Sequence, residues 1–156
     1  MTLVEQIVNR SISQRAKTHI LCVCAGGNTR SVTLATLLKF HFGGYDALAC
    51  SITKNSRGTL EMLFDWADLV IAVDNFIFGE LTDSHKDILD SDKVMLVHIG
   101  KDRWGMSMHS ELVPLACRLL EEAGFKRSNK TDWSRVGQKY GGRRKEPDGP
   151  TIYMPS

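Results

Sequence analysis

Short apolar runs alternate with amphipathic stretches along most of the chain. His19–Cys24 (HILCVC) is a run rich in β-forming residues and predicts a buried strand. The segment AGGNTRS breaks it. From Ser31 to Phe42 the apolar residues Val32, Leu34, Ala35, Leu37 and Leu38 recur at helical spacing, and Gly43-Gly44 stops that helix. Tyr45–Thr53 (YDALACSIT) predicts a second strand, and Arg57–Ala67 a helix with Leu60, Leu63 and Phe64 on one face. Asp68–Asp74 (DLVIAVD) is apolar through its middle and predicts a third strand. Phe76–Leu89 predicts a helix weakened by Gly79 and Thr82, and Lys93–Ile99 (KVMLVHI) a fourth strand. GKDRWGMSMH predicts a loop. Ser110–Ala123 predicts a helix with Pro114 in its first turn, where a missing N–H matters least, and Gly124 at its end. Ahead of all this, residues 1–17 place Leu3, Val4, Ile7 and Val8 at helical spacing, as in a short helix or an ordered arm.

Buried strands alternating with helices imply a parallel sheet covered on both faces, with right-handed crossovers. Such sheets bind ligands outside the carboxyl ends of their strands. Two loops are expected there: 24–31 after the first strand and 100–109 after the fourth. The sequence shows no internal repeat.

Composition narrows the picture modestly. With 156 residues, 42% hydrophobic and 24% charged, the chain has the size and balance of one soluble domain. No apolar run approaches the roughly 20 residues of a membrane span. The first residues carry Glu5 and Arg10 rather than a continuous apolar core, unlike a secretory signal, so no membrane partner and a cytoplasmic location are expected. Cys22, Cys24, Cys50 and Cys117 lack the paired spacing of a zinc site, and no disulfide frame is needed, so reduced thiols are expected. The net charge of +2 is unevenly spread: residues 126–156 hold eight Lys or Arg against three acidic residues. The expected organisation is one domain over 1–125 and a basic extension over 126–156, either wrapped on the domain or mobile.

The loop Cys24-Ala25-Gly26-Gly27-Asn28-Thr29-Arg30-Ser31 carries the candidate chemistry. Gly26 and Gly27 permit positive φ and close ligand approach. Consecutive backbone N–H groups of such a loop form an anion nest, and the following helix adds its positive end. Arg30 returns toward the nest and can grip two phosphate oxygens. Cys24 sits at the base of the same positive field, which favours the nucleophilic thiolate. The Ser31 hydroxyl is placed to donate to the sulfur and ease its departure. A Walker-type phosphate loop is excluded because the Gly-Lys-Ser/Thr ending is absent.

In these residues the sequence resembles the low-molecular-weight protein tyrosine phosphatase family. VCAGGNTRS is similar to that family's strand-end Cys-x5-Arg-Ser, and ADLVIAVD (67–74) to its third strand. Lys101-Asp102-Arg103-Trp104-Gly105 looks like its acid loop, and SELVPLACRLLEEAGF like its last helix. The resemblance runs from about residue 20 to 125. It departs where the family places Asn third after the cysteine, here Gly27, and a second cysteine before the arginine, here Thr29. The proline after the acid is Arg103, TKNSRGT is shorter than usual, and the basic extension is not part of the family core. Cys22 stands two residues before the nucleophile, on the same strand face.

The resemblance implies a three-layer α/β/α sandwich with a four-stranded parallel sheet in the order 2-1-3-4 and the phosphate loop after strand 1. It implies a phosphatase that needs no cofactor or metal, with Cys24 as nucleophile, Arg30 as clamp, Ser31 as aid to the leaving sulfur and Asp102 as general acid, Asp74 being the competing acid. Ala25, Gly26, Gly27, Asn28, Thr29 and Arg30 are expected to hold phosphate or sulfate, and Trp104 either to form one wall of the mouth or to pack into the domain. The expected substrate is a phosphorylated protein of the phosphotyrosine type. A nucleotide, a nucleic acid or another small phosphoester is the alternative, and a phosphate-binding module without turnover is a third. Arsenate reduction on this scaffold needs relay cysteines that the sequence does not supply. Trp133 and Tyr140 in the basic extension resemble a weak single-strand nucleic-acid surface, against the plainer reading of a soluble tail.

Overall fold

A computed structural model describes residues 2–6, 17–26 and 29–136. Four strands, β1 (Thr18–Cys24), β2 (Tyr45–Ser51), β3 (Leu69–Ala72) and β4 (Val94–Leu96), form one parallel sheet in the order β2-β1-β3-β4. That is the expected order. Helix α1 (Arg30–Phe40) joins β1 to β2, α2 (Arg57–Trp66) joins β2 to β3, α3 (Asn75–Gly79) follows β3, and α4 (Leu112–Ala123) follows the last loop. The β1–β2 crossover and the β2–β3 crossover run in opposite directions across the sheet. Right-handed connections therefore put α1 and α2 on opposite faces. Helix α4 packs beside α1 and completes that layer.

The core lies between these layers. Every residue of β3 is buried, as a central strand covered on both faces requires. Helix α1 buries Leu34, Leu37 and Leu38 completely, and α4 buries Leu112, Ala116 and Leu120. Gly124 ends α4 at φ +112°, the left-handed cap expected of it. Helix α1 ends at Phe40, before the paired glycines, because Phe42 bridges antiparallel to Arg127.

Two predicted elements are shorter than their apolar patterns. The stretch 76–89 is α-helical over Asn75–Gly79 and continues as a wider π-type helix only over Glu80–Ser84. The Thr82 hydroxyl then donates to the Phe78 carbonyl, and His85 N–H reaches back five residues to the Glu80 carbonyl, so the turn widens. Strand β4 closes at Leu96 rather than Ile99. Its bonding to β3 nevertheless continues irregularly, from Val97 N–H to Ala72 O (2.9 Å) and from Ile99 N–H to Val73 O (2.8 Å).

At the start, Thr2 and Glu5 form a reciprocal capping box, and Val4 is buried. Ile7 and Val8 lie outside the described residues. The extension is wrapped as far as it is described. Ser128 N–H bonds the His41 carbonyl, and the Trp133 ring packs edge-on to Phe42 with the Arg127 guanidinium over it. Trp133 thus packs on the domain, while Tyr140 and the rest of 137–156 lie outside the described residues.

Candidate active site

The chain runs from β1 outward to β2 and then returns past β1 to β3. The carboxyl ends of β1 and β3 therefore flank the switch point where doubly wound sheets bind ligands. The loop after β1 lies there, between a strand whose last five residues are buried and a helix that begins at Arg30. Thr29 is the N-cap of α1, and its side chain makes no capping bond. The first turn of the helix has no acidic residue either, so its positive end is not neutralised from within.

Cys24 is 2% exposed, and its Sγ lies 3.1 Å from the Oγ of the fully buried Ser31. The two ends of the loop thus meet, as the sequence leads one to expect. Arg30 is 7% exposed, and its Nη1 donates to Asp74 Oδ2 at 2.8 Å and to the Gly100 carbonyl at 2.6 Å. One side chain ties the loop after β1 to the ends of β3 and β4. Asp74, the competing acid of the sequence reading, has both oxygens engaged: Oδ2 takes Arg30 and Oδ1 caps α3 by accepting from Ile77 N–H at 2.8 Å.

The loop is also clamped from β2. The Ala25 carbonyl accepts from the hydroxyls of Ser51 and Thr53, the latter at 2.7 Å. Sequence reasoning did not single out these two residues. The signal was a pair of hydroxyls at the end of a strand, and the register that sets Ser51 opposite Cys24 became visible only once β1 and β2 were paired. Gly26 does not take a positive φ, and a Cβ there would meet nothing within 4 Å, so no protein atom described requires the glycine. The positive-φ argument made for Gly26 is corrected accordingly. Gly27 and Asn28 lie outside the described residues.

Asp102 sits on the neighbouring loop at the same edge. Its Oδ1 accepts from the N–H groups of Trp104 (3.1 Å) and Gly105 (3.4 Å), closing a tight turn around the carboxylate. Gly100 and Gly105 bracket it at φ +89° and +77°, which glycine alone adopts freely. Trp104 is not the open wall that the sequence suggested. It is 4% exposed, and the Arg103 guanidinium lies 4.5 Å from its ring centroid. The chain folds the large apolar ring into the core and leaves the cation above it.

The remaining thiols are inert by environment. Burial pushes Cys22 far above the ordinary thiol range, Cys50 up to about 12 and Cys117 up to about 11. All four cysteines are unbridged. Among the described residues, no group of three His, Cys, Asp or Glu side chains is arranged to hold a metal ion, and no helix is long and apolar enough to cross a membrane.

No family model and no curated protein matches the sequence. Among solved structures the fold is similar to YwlE arginine phosphatase from Geobacillus stearothermophilus, at 18% identity over 67% of this chain and 92% of that one, with a TM-score of 0.44. It is also similar to a low molecular weight protein tyrosine phosphatase from T. tengcongensis, at 16% identity over 68% and 99% of the two chains, with a TM-score of 0.45. A third likeness is to Vibrio vulnificus Wzb in complex with benzylphosphonate, at 17% identity over 82% and 99%, with a TM-score of 0.48.

Proposed function

We propose that this chain is a cysteine-dependent phosphatase of the low-molecular-weight tyrosine phosphatase type, hydrolysing phosphate monoesters. The observation that carries the reading is the Cys24–Ser31 pair at 3.1 Å beside a buried Arg30 at the switch point of the sheet. A thiol packed as mere core has no need of a hydroxyl partner, a buried guanidinium and an uncapped helix end together.

In the proposed reaction the Cys24 thiolate attacks phosphorus in line with the leaving oxygen. The P–O bond breaks, and its electron pair leaves on that oxygen, which takes the proton held by Asp102. Backbone N–H groups of the loop and the Arg30 guanidinium stabilise the equatorial oxygens. Asp74 and Gly100 hold Arg30 through Nη1, which orients the planar group for a two-point grip. In the second half, water attacks the S-phosphoryl group and gives its proton to the Asp102 carboxylate. Sulfur departs as thiolate with the Ser31 hydroxyl as its hydrogen-bond partner, releasing inorganic phosphate. Asp102 suits the proton-transfer role better than Asp74, whose two oxygens serve Arg30 and α3.

A phosphotyrosine-type substrate follows from the sequence resemblance. The packed Trp104 supplies no stacking face for it, so any aryl preference rests on other residues.

The test is hydrolysis of an aryl phosphate and a phosphotyrosine peptide in the presence of chelator, at mildly acidic pH, by the wild type and Cys24→Ser. Turnover that Cys24→Ser lowers by at least about a thousand-fold is expected. A folded wild type without turnover on either ester sinks the reading.

A further inference from the structure

Thr33 is a fully buried polar residue on α1 that the proposed mechanism does not use. Its hydroxyl donates to the Thr29 carbonyl at 2.7 Å, so its single proton is committed to the phosphate loop. The lone pairs of the same oxygen accept from the Met108 N–H at 2.9 Å. Met108 closes the loop that carries Asp102. It is buried and stands at φ +59°, the sole non-glycine with positive φ among the described residues. An unbranched side chain in that conformation persists when its surroundings impose it.

The other end of the same loop is held by the same helix, because the Gly100 carbonyl accepts from Arg30. The acid loop is therefore fastened at both ends to α1, at Arg30 and at Thr33 one turn later. The first fastening uses the phosphate clamp itself. The second uses a side chain with no chemistry of its own.

We infer that Thr33 is a positioning residue: its hydroxyl sets the acid loop against the phosphate loop, and so sets where Asp102 delivers its proton. The inference rests on the phosphatase reading and on Asp102 as the acid within it. Removing the hydroxyl leaves the buried Met108 N–H without an acceptor and frees that end of the loop to shift. Cys24, Arg30 and the nest stay in place. In the first half-reaction the loss must then fall on leaving groups that need the proton.

The experiment compares Thr33→Val and Thr33→Ser with the wild type on two esters, at several pH values. Phenyl phosphate has a leaving group that needs protonation, and 2,4-dinitrophenyl phosphate has one that leaves without it. Thr33→Val is expected to lower kcat/KM, which ends at release of the leaving group and so excludes the later hydrolysis of the S-phosphoryl group, by about 10- to 100-fold on phenyl phosphate and by less than about 3-fold on the dinitrophenyl ester. Thr33→Ser, which keeps the hydroxyl, is expected to restore the wild-type ratio. Asp102→Asn is expected to show the same leaving-group dependence in stronger form. Should Thr33→Val fail to fold, Thr33→Ala removes the same hydroxyl from a smaller side chain and is read in the same way. Equal loss on both esters, or no loss on either, overturns the inference while leaving the phosphatase reading intact. A wild type inactive on both esters overturns that reading and the inference with it.

Discussion

The loops at 24–31 and 100–109 leave the sheet at the same edge but are built on different principles. The first is continuous with a buried strand on one side and a helix on the other, and its ends meet through Cys24 and Ser31. Its further support comes from the adjacent strand, through Ser51 and Thr53 on the Ala25 carbonyl. The second has no regular element for several residues after β4. It is kept in shape by its own turn around Asp102 and by two bonds from α1, Arg30 to Gly100 and Met108 to Thr33. The loop over 24–31 is held by its own ends and by the neighbouring strand β2. The loop over 100–109 borrows part of its shape from α1. A lesion at Arg30 therefore reaches both loops, whereas loss of the Thr33 hydroxyl is expected to reach mainly the second.

The sharpest test of this asymmetry after the nucleophile itself is Arg30→Lys. A lysine keeps the charge but not the fork that holds Asp74 and Gly100 and, in the proposed reaction, a phosphate as well. The expected loss in kcat/KM on an aryl phosphate is on the order of 100- to 1,000-fold. A loss below about 10-fold would show that the arginine serves neither loop as described. Asp74→Ala comes next. It strands the largely buried Arg30 and removes the cap of α3, for an expected destabilisation of about 2–4 kcal/mol in urea unfolding. Unchanged stability would break the link between Arg30's pairing and the β3 end of the site.

The smallest effect concerns the buried thiols Cys50 and Cys117. Cys50 and Cys117 are pushed up to about 12 and about 11 in the folded chain, from an ordinary 9.0. Above about pH 9 the unfolded chain releases thiol protons that the folded chain keeps, so the unfolded state binds fewer protons and stability declines with pH. The contribution is complete below pH 9 and lost as pH rises toward 11–12. The expected observation is a Tm that falls between pH 8 and 10.5, and falls less in Cys117→Ala. A flat profile in the wild type would argue that these thiols are not buried as described.

Legibility followed the same division. The helix starts near Arg30 and Arg57 and the Gly124 cap were readable because apolar periodicity and capping residues act within a few positions, whereas the strand order came from the family resemblance. The juncture of Cys24 and Ser31 was readable because a tight strand–helix loop leaves few places for its ends. Trp104 left two readings open, because an aromatic in a polar loop suits a ligand wall and a packed core equally until the tertiary structure chooses, here the core. The helix predicted over 76–89 stops at Ser84 and widens after Gly79, because Thr82 and His85 bond backbone carbonyls that periodicity ignores. Asp74 was noticed for its carboxylate, but nothing in the linear order says that one oxygen would meet Arg30, 44 positions away.

By itself the sequence determined a parallel α/β sheet and a thiol, a guanidinium and a hydroxyl on one short loop. These are consequences of hydrophobic period and of residues within eight positions of one another. The tertiary structure alone decided which carboxylate holds Arg30, which hydroxyls clamp Ala25, and that Thr33 fastens the loop of Asp102. Those contacts form between segments brought together by the crossovers of the sheet. Directional hydrogen bonds are resolved only at distances of about 3 Å, and a linear pattern of apolar and polar residues carries no distance.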